Sequence, residues 1–255
     1  MDQLKDFMDF YNNPYSKEMT KNFGIIADYA STVLIGFSQL FDKIVKTDEE
    51  SLETANYCKD ILGVVSGQLQ RAGIFCSVLM NDKTKNDHIS IEKYLGNFIS
   101  GCERILGQKF DTSVAIQKDF VVYTSSDLLD MLLLGFIRKT CTPDLAKEKK
   151  DNVLPTFDIS ASVKNDMPQI TVNSSTILPQ NSYDPFGSRE FFEKFFVEFA
   201  TIIAEKINAR IDIGENYITI KFLPDKDPNI LIFHSPKVRI ANEGRTIFKI
   251  MLEDL

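Results

Sequence analysis

The hexad Gly36-Phe37-Ser38-Gln39-Leu40-Phe41 lies inside a stretch patterned for a supercoiled helix. Phe23, Ala27, Ala30, Leu34, Phe37, Phe41 and Ile44 step by four and three in alternation, the spacing that keeps one apolar seam turned toward a partner helix. It predicts a helix from about Lys17 to Lys46. The next residues, Lys46-Thr47-Asp48-Glu49-Glu50, are polar and few. Thr47 or Asp48 can accept from the free N–H groups that open a second helix, and the two glutamates suit its positive end. A second seam follows at Ala55, Cys58, Leu62, Val65, Leu69, Ala72, Cys76 and Leu79. Two matched seams joined by so short a link predict an antiparallel hairpin.

Apolar residues also fall outside the two seams: Ile26, Val33 and Leu40, then Ile61, Val64, Phe75 and Val78. A lone pair of helices leaves such a stripe in water, and contiguous apolar patches mark interfaces. A two-fold dimer that closes a four-helix bundle is the economical solution, with Phe23, Ala27, Ala30, Leu34, Phe37, Phe41, Leu62, Val65 and Leu69 as its seam. A monomer whose remaining residues cover the stripe is the alternative.

Beyond the hairpin the pattern changes. Residues 81–88 read as a polar linker, and Ser90 caps a helix through Leu106 with Ile91, Tyr94, Leu95, Phe98, Ile99 and Cys102 on one face. Residues 112–116 and 120–123 read as strands, and Ser125 or Ser126 opens a helix through Thr140. Strands at 156–163 and 169–174, a helix at 188–207 and strands at 210–213 and 217–222 follow. The expected fold class is α+β: a long helical hairpin at 17–80 after an N-terminal arm at 1–16, then an α/β sandwich at 89–224 with a mixed sheet and helices on one face. Residues 225–255 read as a β extension, with strands at 230–234, 238–241 and 246–252.

The 255 residues carry a net charge of −7, which disfavours nucleic acid and anionic lipid as partners. The first residues have no basic-then-apolar signal, and no apolar run long enough to span a bilayer stands out, so a soluble, cytoplasmic protein is expected. Cys58, Cys76, Cys102 and Cys141 have no C-x-x-C spacing, and His88 and His234 have no ligand cluster beside them. Neither metal nor cofactor is expected.

The hexad, with Ile35 before it, resembles the first dimerisation helix of sensor histidine kinases. Tyr183-Asp184-Pro185-Phe186 resembles the aromatic-Pro-Phe motif in the nucleotide lid of their Bergerat-type ATPase domain. Element order agrees with the transmitter region of that family over residues 17–224. The resemblance implies a phosphorylated histidine eleven residues before Gly36, an acidic residue after it and a proline beyond; this chain has Ile25, Ile26 and Ala30 there. Histidine phosphotransferases, related in plan, need the same acceptor. In the ATPase half, the resemblance implies asparagines where Gly135 and Lys139 stand, an Asp-x-Gly-x-Gly box where Asn173-Ser174-Ser175-Thr176-Ile177-Leu178 stands, and a glycine-rich box where Gly187-Ser188-Arg189-Glu190-Phe191 stands. The expectation is a degenerate, non-catalytic member, not an enzyme, with no catalytic, cofactor-binding or metal-binding residue.

The resemblance also implies partners: a second copy, a response-regulator receiver domain docked near Tyr29, Ser31, Thr32, Val33 and Gly36, or a histidine kinase. Two alternatives stand beside it. One is a divergent ATP-binding protein or phosphotransferase using Asn173, Lys139 and Arg189; the other is a small-ligand or peptide receptor.

Overall fold

The computed structural model describes residues 9, 13–44, 49–80, 86–107, 110–117, 119–141, 155–175, 188–223 and 247–252. The motif Tyr183–Phe186, most of the charged loop after Cys141, and the strands expected at 230–234 and 238–241 lie outside these residues. The chain divides into two compact units, Met1–Asp82 and Lys83–Leu255.

The first unit is an antiparallel pair of long helices, α1 (Pro14–Ile44) and α2 (Glu49–Met80). Small residues set the crossing. A Cβ built on Gly24 would fall 3.0 Å from Cys76 Cβ and 3.6 Å from the Gly73 carbonyl oxygen, while one on Gly73 would fall 3.4 Å from the Gly24 carbonyl oxygen. Seven residues further along α1, Ser66 Oγ donates to the Ser31 carbonyl oxygen at 3.1 Å, so the two backbones stay close over that length. One side-chain hydroxyl thus satisfies itself within the interface, which keeps its burial cheap.

The second unit opens with strand β1 (Asp87–Ser90), so Asp87 and His88 belong to a strand and not to the linker. Helix α3 (Ile91–Leu106) begins at Ser90, whose Oγ accepts from Lys93 N, as the sequence led us to expect. Asp119 reinforces that end: its carboxylate accepts from Ser90 Oγ at 2.9 Å and from Glu92 N at 3.0 Å, placing negative charge at the positive helix terminus. Strands β2 (Thr112–Ile116) and β3 (Val121–Thr124) then part company. β3 pairs with β1 in a separate two-stranded ribbon, while β2 joins the main sheet.

Helix α4 (Ser126–Thr140) is followed by β4 (Phe157–Lys164), β5 (Met167–Ser174), α5 (Ser188–Lys206), β6 (Ala209–Ile213), β7 (Tyr217–Phe222) and α6 (Ile247–Leu252). The sheet order is β2-β4-β5-β7-β6, with β2 parallel to β4 and the other neighbours antiparallel. Asn165 and Asp166, with φ of 51° and 61°, make the tight β4–β5 turn, because a two-residue hairpin matched to strand twist needs positive φ at both places.

Alternation along the strands gives the sheet one apolar face. Phe157, Ile159, Ala161, Ile170, Val172, Ile218 and Ile220 are buried on it, and they carry the core with α4 and α5. The other face is polar, with Asp158, Asn173 and Tyr217 in one cross-strand row and Thr171 bonded to Thr219 in the next. Residues 247–252, expected as a strand, form α6 packed on α3 and α4. Its apolar residues Ile247, Phe248, Met251 and Leu252 have helical spacing, which in so short a run also reads as a strand.

Candidate functional site

Helix α1 carries two apolar faces, about 100° apart. The inner one, turned to α2, runs Thr20, Gly24, Ala27, Ser31, Leu34, Ser38 and Phe41, all buried or half-buried. The outer one runs Met19, Phe23, Ile26, Ala30, Val33, Phe37 and Leu40, again spaced by four and three. Apart from half-buried Ala30 its members are exposed: Phe23 at 51%, Ile26 at 64% and Phe37 at 53%. The seam expected from the sequence mixed the two. Ala27, Leu34 and Phe41 belong to the inner face, whereas Phe23, Ala30 and Phe37 belong to the outer one. The reason is steric: between Gly24 and Ser31 the hairpin closes on small residues, which let the helices approach, and Phe23 and Ile26 are turned away. On α2, Leu62, Val65 and Leu69 are half-buried.

Of the residues expected to dock a partner, Tyr29 is 73% exposed, and Thr32, Val33 and Gly36 are exposed as well. Ser31 is not available. It is fully buried, its Oγ donates to the Asp28 carbonyl oxygen and its own carbonyl oxygen receives Ser66, so it is a packing residue of the hairpin. Ile25, at the place where the resemblance puts an imidazole, is 61% exposed.

The expectation that no segment is long and apolar enough to span a bilayer needs correction. Met19–Phe41, 23 residues containing an 18-residue stretch with a mean hydropathy of 1.3, meets that length and composition.

In the second unit, the residues expected at a nucleotide do not come together. Gly135, in the middle of α4, is buried beneath the Phe196 ring of α5. A Cβ at Gly135 would fall 2.8 Å from Phe196 Cε2, so the glycine makes room for an aromatic side chain. Lys139 Nζ donates to the carbonyl oxygens of Gly214 and Glu215 at 3.0 and 3.3 Å, which ties the end of α4 to the β6–β7 turn. Asn173 faces the other way, exposed on the polar side of the sheet, and it does not join Lys139. Ser174, its neighbour in β5, is the buried residue directed to the helices, and its Oγ finds no partner among the described residues. Sequence reasoning missed Ser174 because a strand alternates faces at each residue. The Arg189 side chain lies outside the described residues.

A second buried polar contact joins α3 to α4. Tyr94 Oη donates to Asp130 Oδ1 at 2.8 Å, both residues being buried. Burial, and then the Asp130 charge, hold the Tyr94 phenol well above its ordinary pKa. Burial likewise raises the Cys102 thiol well above its usual range and pushes Cys141 up to about 12, so both stay protonated and unreactive near neutrality. No group of three potential metal ligands occurs among the described residues.

Along the chain, then, a long antiparallel hairpin precedes a mixed five-stranded sheet with helices on one face. No family model and no curated protein matches the sequence. Solved structures do match. Full-length ShkA in complex with AMPPNP aligns with a TM-score of 0.54 at 9% identity, covering 80% of this chain and 44% of that one. Histidine kinase ThkA in complex with response regulator protein TrrA gives 0.49 at 12% identity, covering 87% and 63%. Acinetobacter baumannii histidine kinase AdeS gives 0.45 at 13% identity, covering 76% and 94%. The likeness to ShkA is one of fold: the chain has a histidine kinase transmitter-like fold of helical hairpin and α/β sheet domain. The expectation that the chain is not an enzyme is withdrawn, since the fold it shares is that of ShkA, solved with AMPPNP, and histidine kinases are enzymes.

Proposed function

We propose that the chain is a dimeric interaction module of two-component-type signalling, in which two copies close a four-helix bundle through the outer face of α1 and a response-regulator receiver domain docks beside it. One observation supports this above the rest: a second heptad stripe, from Met19 to Leu40, left in water by the hairpin itself. A contiguous apolar seam with coiled-coil spacing is costly to leave exposed and is complementary to a copy of itself across a two-fold axis. Docking at Tyr29, Thr32 and Gly36 requires shape and contact, not an imidazole, so Ile25 is no obstacle to it.

In this reading α1 works in water, on the cytoplasmic side. Lys21 and Asp28 lie within the Met19–Phe41 stretch, and a strict three-four seam suits a partner helix, whereas lipid demands no such period. Sedimentation equilibrium of the full chain, followed by titration with purified receiver domains and with histidine kinases from the same organism, tests both halves. A dimer at micromolar concentration and saturable receiver binding are expected. A monomer throughout the range, or a dimer that binds no receiver, would refute the corresponding half.

A further inference from the structure

The C-terminal helix α6 is seated like a ligand. Its principal contacts are with α3 and α4, and residues 223–246 separate it from β7. At six residues it is too short to persist alone, since isolated helices under about 12 residues are marginal in water. The groove beneath is shaped for it. The Phe248 ring tilts against Phe98 with centroids 5.5 Å apart, and it lies over Gly101, where a built Cβ would come within 2.6 Å of Phe248 Cε1. Any side chain at position 101 therefore meets the ring. Met251 and Leu252 are fully buried, and Arg138, itself 2% exposed, donates from Nη1 to the Met251 carbonyl oxygen at 3.2 Å. That bond places a cation at the negative end of the short helix, a terminus-specific contact of the kind that recognises a peptide in one direction.

We propose that the groove between α3 and α4 is a peptide-docking site and that residues 247–252 are its tethered ligand, able to leave and to be replaced by the same segment of a second copy. The groove selects an aromatic residue over the Gly101 notch, two aliphatic residues three and four positions later, and a free helix C-terminus at Arg138. Being part of the same chain, the segment fills the site as an intramolecular ligand, with which a free peptide must compete. Exchange between copies needs only that the same contacts form from a different chain.

The test uses the full chain with a site-specific protease sequence placed within residues 224–246, and a fluorescent synthetic peptide of residues 245–255. After cleavage, the labelled peptide should bind saturably and displace the C-terminal fragment, while the uncleaved chain should bind it more weakly because the tethered segment competes. A Phe248→Ala peptide should bind about tenfold more weakly or worse, since it loses the half-buried ring that packs on Phe98 and over Gly101. Gly101→Ala is the second variant. Alanine favours the α3 helix itself, so circular dichroism and melting should be kept while peptide affinity falls about tenfold or more. The proposal is overturned by a fragment that no excess of peptide displaces, by a body that unfolds once the fragment leaves, or by a Gly101→Ala protein that binds peptide as the parent does.

Discussion

Phe37→Asp addresses the outer stripe of α1 at its centre. In the single chain Phe37 is 53% exposed, so roughly half of its surface remains for a partner to cover. Complete burial of a Phe side chain is worth roughly 1.5–3 kcal/mol, and the remaining half contributes about 1 kcal/mol in each copy. A two-fold interface contains the residue twice, so removing the ring costs about 2 kcal/mol, or about 30-fold in Kd. The carboxylate adds desolvation in each copy, again about 1 kcal/mol or more apiece. The total approaches about 4 kcal/mol, close to a thousandfold in Kd. Because the position is exposed in the monomer, the hairpin should keep its helicity. Gln39→Asp makes the same charge change on an exposed residue about 200° away around α1 and is the control. Sedimentation equilibrium over a wide concentration range reads both variants. Equal dissociation constants for the two would refute the assignment of this face as the dimer interface.

Three further substitutions follow from the packing. Gly36 has open space around a built Cβ whereas Gly24 does not, so Gly36→Ala should slow hydrogen exchange of the neighbouring α1 amides by the equivalent of about 0.5–1 kcal/mol. Gly24→Val, pressed on Cys76 and the Gly73 carbonyl, should speed exchange by the equivalent of about 1–3 kcal/mol. Tyr94→Phe leaves Asp130 one donor short and should cost roughly 1–3 kcal/mol of the second unit's stability near neutral pH. Tyr94 also predicts an alkaline slope. Its folded pKa lies above the unfolded value near 10, so its contribution is complete below that pH and is lost as pH rises through the folded pKa. Chemical denaturation between pH 8 and 11 should show this loss in the parent and a shallower decline in Tyr94→Phe.

The elements were legible where local chemistry is emphatic. Ser90 and Ser125 cap helices as their spacing to apolar runs implies, and the β-branched strands β4, β5 and β7 fall within two residues of where their composition puts them. What could not be read was which face each residue takes. A hydrophobic count finds large side chains, yet the hairpin closes on Gly24, Ser31, Ser66 and Gly73, which carry almost no hydrophobic signal. The error at Asn173 is of the same kind, since one step along β5 exchanges the polar face for the covered one, at Ser174. β1 escaped notice because Asp87-His88-Ile89-Ser90 has a single apolar residue, and only its pairing with β3 makes it a strand. The groove for α6 had no local signal at all: Gly101, Arg138 and Phe248 meet only through tertiary contact.

The separation of α1 into two faces also divides the residues that a partner can use. Val33 lies within the outer stripe, between Ala30 and Phe37, so a second copy that covers the stripe covers Val33 as well. Tyr29, Thr32 and Gly36 lie to one side of that stripe, Gly36 about 90° from its centre by helical geometry, where a bundle partner leaves them in water. In the proposed assembly the five-residue patch implied by the resemblance therefore divides into three parts: Ser31 holds the hairpin, Val33 would face the second copy, and Tyr29, Thr32 and Gly36 would remain for a docked domain. Val33→Ala should then weaken the dimer, by about tenfold if its exposed share is covered in both copies, with receiver affinity per dimer unchanged. Tyr29→Ala should do the reverse, lowering receiver affinity while sedimentation shows the parent's dimer. If Tyr29→Ala loosened the dimer as much as Val33→Ala does, the two surfaces would be one, and a receiver could bind only by displacing the second copy.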